Sequence, residues 1–182
     1  MEIKDYCKGN YDIICSCEGS AEEDVINWLL DEDKLLFSRE QLVYKKITRI
    51  RSVKEIENKF LNLDYDDKSV VIFRIIDSRN EKFTLGNLYR DRFDVINYNT
   101  NPEIEILIII EMGDLQKYTN QSGKNKLKPS EYATRQYKIK KIKQSGTFAD
   151  FFDNDIDSLV NSIREHKSKL GKGHFTICDL LK

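Results

Sequence analysis

The chain is short of almost every residue type that would mark its chemistry at a glance. Among 182 residues there are two prolines, two histidines, one tryptophan and four cysteines. No two cysteines form a CxxC pair, so neither a redox motif nor the usual zinc clip is written here. His166, His174 and Cys178 invite a zinc reading, yet their spacing matches no structural zinc site. Reduced thiols are the better reading, with Cys15 and Cys17 two apart on an expected strand and facing one side. The eight glycines build neither GxGxxG nor a P-loop, which argues against a nucleotide-binding α/β domain. The longest apolar run, Ile106 to Ile110, is far too short to span a bilayer, and no membrane partner is expected. The opening MEIKDYCKGNYD lacks the basic start and apolar stretch of a signal peptide, so the expected location is cytoplasmic.

Net charge is nearly absent as well, at −1, but the charges are segregated. Met1 to Asp33 carries ten acids against Lys4 and Lys8, whereas Lys124 to Gln144 holds seven lysines and Arg135 against Glu131 alone. Such asymmetry points to an anionic partner at one surface and to cations at the other, or to pairing of the two across a solvated face.

What is present suits a single domain over residues 1–182, with enough apolar residues (40%) to bury a core without disulfides or metals. Tyr11 to Cys17, YDIICSC, reads as a buried strand. Ser20 is placed to cap a helix whose first turn carries Glu22, Glu23 and Asp24, acids that suit its positive end. Ser52 with Glu55 makes a capping-box pattern before a helix with Ile56, Phe60 and Leu63 on one side. Ser69 to Asp77, SVVIFRIID, has the nearly continuous apolar character of a central parallel strand. Phe93 to Tyr98 is a third strand candidate. In TNPEIEILIIIEMGDLQKY, Asn101 as cap and Pro102 at the first position suit a helix, although Ile106 to Ile110 alone would pass for a strand. Pro129 and Ser130 start a helix that runs into the lysine-rich stretch, and Asn154 caps a closing helix that ends before Gly171. The alternation implies a mostly parallel α/β sheet of about four strands, with helices on both faces. Its core is expected over about residues 11–118, followed by a basic helical part over about 124–182.

In such a sheet functional residues gather where strands end and helices begin. Two strands here end on an acid: Glu18 after IICSC, and Asp77 after VVIFRII. Carboxylates delivered to one edge by neighbouring parallel strands would suit Mg²⁺, which takes one or two of them and completes its shell with water and phosphate.

These elements resemble the TOPRIM (topoisomerase–primase) domain. The matching parts are IICSCEG, Ile13 to Gly19, and VVIFRIIDSR, Val70 to Arg79. NTNPEIEILIII, Asn99 to Ile110, is similar to a segment of RloB-like and related TOPRIM proteins of bacterial defence systems, with Glu105 at the matching acid and Glu103 beside it. The resemblance covers roughly Tyr11 to Tyr118. It implies a TOPRIM-like, Rossmann-like fold and a nuclease dependent on Mg²⁺ or Mn²⁺, hydrolysing RNA or DNA, in a role tied to anti-phage defence. Glu18 and Asp77 would be the catalytic pair, and Glu18, Asp77, Glu22 and Glu105 the metal ligands. Nucleic acid would be held by Arg79, Lys138, Lys140, Lys141 and Lys143 through phosphate contacts.

One departure from the pattern matters. TOPRIM domains usually carry Asp-x-Asp at the second motif, where this chain has Asp77-Ser78-Arg79. Losing the second aspartate removes a ligand and puts a fixed positive charge in its place: either Glu103 or Glu105 compensates, or only one metal binds, or the site is degenerate, or the guanidinium grips a phosphate directly. The alternative is therefore a catalytically degenerate TOPRIM-like module that binds nucleic acid or a partner protein. A second copy of the chain is a further partner left open.

Overall fold

A computed structural model describes residues 2–65, 67–78, 81–121, 126–139, 142, 144, 146–170 and 173–182. Arg79, Lys140, Lys141, Lys143 and Gly171, singled out above, lie outside the described residues.

A short helix α1 (Ile3–Tyr6) leads into strand β1 (Tyr11–Cys17) and then helix α2 (Ser20–Asp31). Helix α3 (Val53–Ile56) is prolonged by a wider turn over Glu57–Leu61. Strands β2 (Ser69–Ile76) and β3 (Asp94–Asn99) follow. The rest is helical: α4 (Ile106–Glu111), α5 (Leu115–Thr119), α6 (Pro129–Tyr137), α7 (Thr147–Phe151) and α8 (Ile156–Lys169).

The three strands form one parallel sheet in the order β1-β2-β3. The protein is thus α/β with a small open sheet. Strand β2 is central, as its apolar run requires: Val71, Ile72, Phe73 and Ile75 are fully buried. Side chains alternate between two faces. Ile13, Cys15, Cys17, Val71, Phe73 and Ile75 face the larger layer, with core residues from α2, α4, α6 and α8. Ile14, Val70 and Ile72 face the smaller one, against Ile56, Phe60 and Leu61. Each fully buried Ile or Phe stabilises the fold by about 1.5–3 kcal/mol relative to exposure.

Several local expectations are corrected. The sheet has three strands rather than four, which leaves β1 at an end of it. The chain over residues 42–48, which includes a tight turn at Val43–Lys45, covers that end through two isolated bridges, Ile13 to Leu42 and Ser16 to Thr48. Cys17 N–H donates to the Thr48 carbonyl and Thr48 N–H to the Cys15 carbonyl, both at 2.9 Å. Leu63 is exposed, because the chain turns before a further helical repeat would bury it. Helix α4 begins at Ile106, so neither Asn101 nor Pro102 starts it; the Asn101 side-chain amide donates instead to the Asp77 carbonyl at 3.1 Å. Asp155, not Asn154, caps α8, accepting from the Asp157 and Ser158 amides. The basic helix stops at Tyr137, with Lys138 in the left-handed conformation (φ 59°) as its C-cap. That cap ends the helix before the lysine run. Among the described residues no helix is long and apolar enough to cross a membrane.

Candidate active site

Because all three strands run parallel, their carboxyl ends share one edge of the sheet. Glu18 is the first residue past β1, and its amide donates to the Ile75 carbonyl at 2.9 Å. Asp77 is the first past β2, and its amide donates to Glu18 Oε2 at 2.9 Å. Thr100, just past β3, donates its amide to the Ile76 carbonyl at 2.8 Å. The ladder therefore continues one residue beyond the strands and sets Glu18 beside Asp77.

A cavity of about 220 Å³ opens at this edge, lined by Glu18, Gly19, Ser20, Ala21, Glu22, Asp77, Glu103 and Glu105. Glu22 enters from the first turn of α2 and is buried. Gly19 is extended at φ −136°, which any residue adopts, so its role is spatial. A Cβ there would stand 3.0 Å from Glu22 Oε2. Glu103 is buried, and its Oε2 accepts from the Ser130 amide (3.0 Å) and hydroxyl (2.7 Å) at the start of α6. Glu105, 2% exposed, also lines the cavity.

Crowding of carboxylates shows in their proton affinity. Burial pushes the Asp77 carboxyl up to about 6. A hydrogen bond with Glu18, the Glu18 charge and the Glu103 charge act in the same direction, and Arg51 opposes them. A partly buried acid beside like charges, in a cleft, marks a candidate site for a proton or a cation.

Arg51 supplies the compensating charge. Its Nη2 lies 2.8 Å from Glu18 Oε1 and 3.8 Å from Glu81 Oε2. Glu81 in turn accepts from Arg74 Nη2 at 2.8 Å. Arg74 is the surprise of β2: only 1% exposed, it stacks on the Phe83 ring (4.0 Å to the centroid) and reaches Asn97 at 3.3 Å. A second cleft of about 310 Å³ shares Asp77 and Glu103 with the first and is edged by Tyr118 and by exposed Lys126 and Lys128.

The structure thus brings Glu18, Glu22, Asp77 and Glu105 to one cavity. Lys138 is exposed and lines neither cleft. Arg51 and Glu81 had no local signature that would single them out, whereas Lys126 and Lys128 belong to the lysine-rich stretch expected to meet an anionic partner. Among the described residues no group of three His, Cys, Asp or Glu side chains is arranged to hold a metal ion. That also leaves His166, His174 and Cys178 without a zinc arrangement. For a hard cation such as Mg²⁺ the demand is smaller: one or two protein carboxylates suffice, the other ligands being water and phosphate. The all-oxygen Glu18–Asp77 pair fits it, and the Arg51 guanidinium already stands there as a cation. No family model, no curated protein and no solved structure matches the chain.

Proposed function

We propose that the protein is a nuclease of TOPRIM-like architecture that hydrolyses phosphodiester bonds with Mg²⁺ or Mn²⁺ held at Glu18 and Asp77. The observation that carries this reading is the placement of these two acids, one from each of two neighbouring parallel strands, close enough for Glu18 to raise the proton affinity of Asp77. When bound, a divalent cation would stabilise charge on the phosphate and lower the pKa of a water. Glu22 and Glu105 line the same cavity as outer carboxylates. Lys126 and Lys128, along the adjoining cleft, are placed to hold the phosphate backbone without reading sequence. A defence role in the bacterial cytoplasm is implied only by the resemblance.

A second reading is favoured by one observation. Arg51 already neutralises Glu18, which is what a degenerate binding module would need. Incubating the protein with labelled RNA and DNA pools, with Mg²⁺, Mn²⁺ or chelator, separates the two. The nuclease reading expects cation-dependent cleavage that is lost in Glu18→Gln and Asp77→Asn. Retained binding with no cleavage under any cation hands the site to the degenerate module.

A further inference from the structure

We propose that Arg51 is the resident counter-cation of Glu18 and sets the affinity of the site for a divalent cation by competing for the same carboxylate oxygen. The inference rests on the metal-site reading above.

Both oxygens of Glu18 are in use. Oε2 accepts from the Asp77 amide at 2.9 Å, a bond fixed by the backbone. Oε1 faces Arg51 Nη2 at 2.8 Å, a bond made by a side chain that is 51% exposed. Of the two contacts, the one to Arg51 is made by an exposed side chain and is the one that an arriving cation can displace at least cost.

Arg51 also has a prepared second position. Glu81 Oε2 is buried and accepts no hydrogen bond among the described residues, although Arg51 Nη2 is only 3.8 Å away. Glu81 cannot turn this oxygen elsewhere at low cost, because its Oε1 is held at 2.8 Å by the buried guanidinium of Arg74. Release from Glu18 is then a pivot of the guanidinium towards an acceptor that lacks a donor. A buried acceptor without a donor is costly, so the pivot recovers what the departure from Glu18 gives up. The same carboxylate explains why a positive side chain is tolerated at the mouth of a cation site: it has somewhere to go.

Calorimetric titration of Mn²⁺ into the full chain tests this, with metal-free melting curves to verify that each variant folds. Arg51→Met removes the competitor and is expected to bind Mn²⁺ several-fold to about tenfold tighter, an exposed charge being screened by solvent. Glu81→Gln removes the second position and is expected to bind more weakly than the wild type. Opposite shifts from two substitutions that both break the same network are not what a merely structural role produces. Arg51→Lys keeps the charge and serves should the methionine variant fail to fold; it is expected to stay within about twofold of the wild type. Equal affinity of the wild type and Arg51→Met, with both binding, overturns the role of Arg51 and leaves the carboxylate site standing. No binding of Mn²⁺ in any of them overturns both.

Discussion

At the scale of single residues the site is governed by one proton. Asp77 holds its proton up to about 6, against an ordinary 3.8, so between these values the folded protein binds a proton that the unfolded chain has released. Stability falls over a pH range in which the native state binds the more protons. The contribution of Asp77 is therefore fully present below the ordinary value and is lost as pH rises through about 6. Melting temperatures in chelator should decline over this interval, and the decline should be shallower in Asp77→Asn. Affinity for Mn²⁺ should move the other way, rising as the proton leaves, because a ligand must be deprotonated. Gly19 makes a separate demand. Gly19→Ala puts a methyl 3.0 Å from Glu22 Oε2 and should displace that carboxylate. With both residues close to the site, the expected result is weaker Mn²⁺ binding with melting temperature little changed; unaltered binding would show that Glu22 lies outside the cation's reach.

At the scale of elements, the strands and the two strand-end acids were legible in the sequence, because a buried parallel strand leaves a dense apolar run and stops where polarity returns. Ser69–Ile76 has that form, and Glu18 and Asp77 follow their strands directly. Arg74 lay in plain sight within that run and its meaning was not legible. Its partners come from Glu81, Phe83 and Asn97, which the sequence gives no reason to join. Arg51 was hidden for the same reason, its acidic neighbours being 33 and 30 positions away along the chain. Helix starts were misplaced by one to a few residues where a backbone turn competed with the capping residue, as at Asn101, whose side chain serves Asp77 instead. The buried ion pair itself is testable. Arg74→Met removes the buried partner of Glu81 and leaves it only the more distant, exposed Arg51, so it should cost on the order of 2 kcal/mol in urea unfolding, less than for a fully buried pair. Adding Glu81→Leu should recover most of that loss, since an apolar pair in place of a buried ion pair is often nearly neutral.

At the scale of the whole molecule the near-zero net charge conceals a local opposition. Five acids line one cavity, and two lysines edge the cleft that opens from it. A polyanion at this face meets Lys126 and Lys128 in the same cleft as Asp77 and Glu103, whose charge would repel it unless a cation were present. Binding of single-stranded nucleic acid should therefore be stronger with Mg²⁺ than with chelator. Lys126→Gln with Lys128→Gln should weaken it for all sequences alike and reduce the salt slope by about 1.4, that is, about 0.7 for each phosphate no longer neutralised by a lysine. An unchanged slope would place the binding face elsewhere on the surface.

The covering of β1 by residues 42–48 has a consequence for motion. Three residues beyond Thr48 the same segment reaches Arg51, and between them the Ser16 hydroxyl donates to the Ile50 carbonyl at 2.7 Å. The contacts that cover β1 and the guanidinium that meets Glu18 thus lie along one short stretch of chain. Opening of that stretch exposes the amides of Cys17 and Thr48 and withdraws Arg51 together. Amide hydrogen exchange at these two positions should then quicken in step when Arg51 loses its hold on Glu18, as in Arg51→Met, while Ile72 and Phe73 in the central strand keep their protection. The same peeling would bare a strand edge able to pair with another chain, so the chain over residues 42–48 also shields β1 from edge-to-edge pairing.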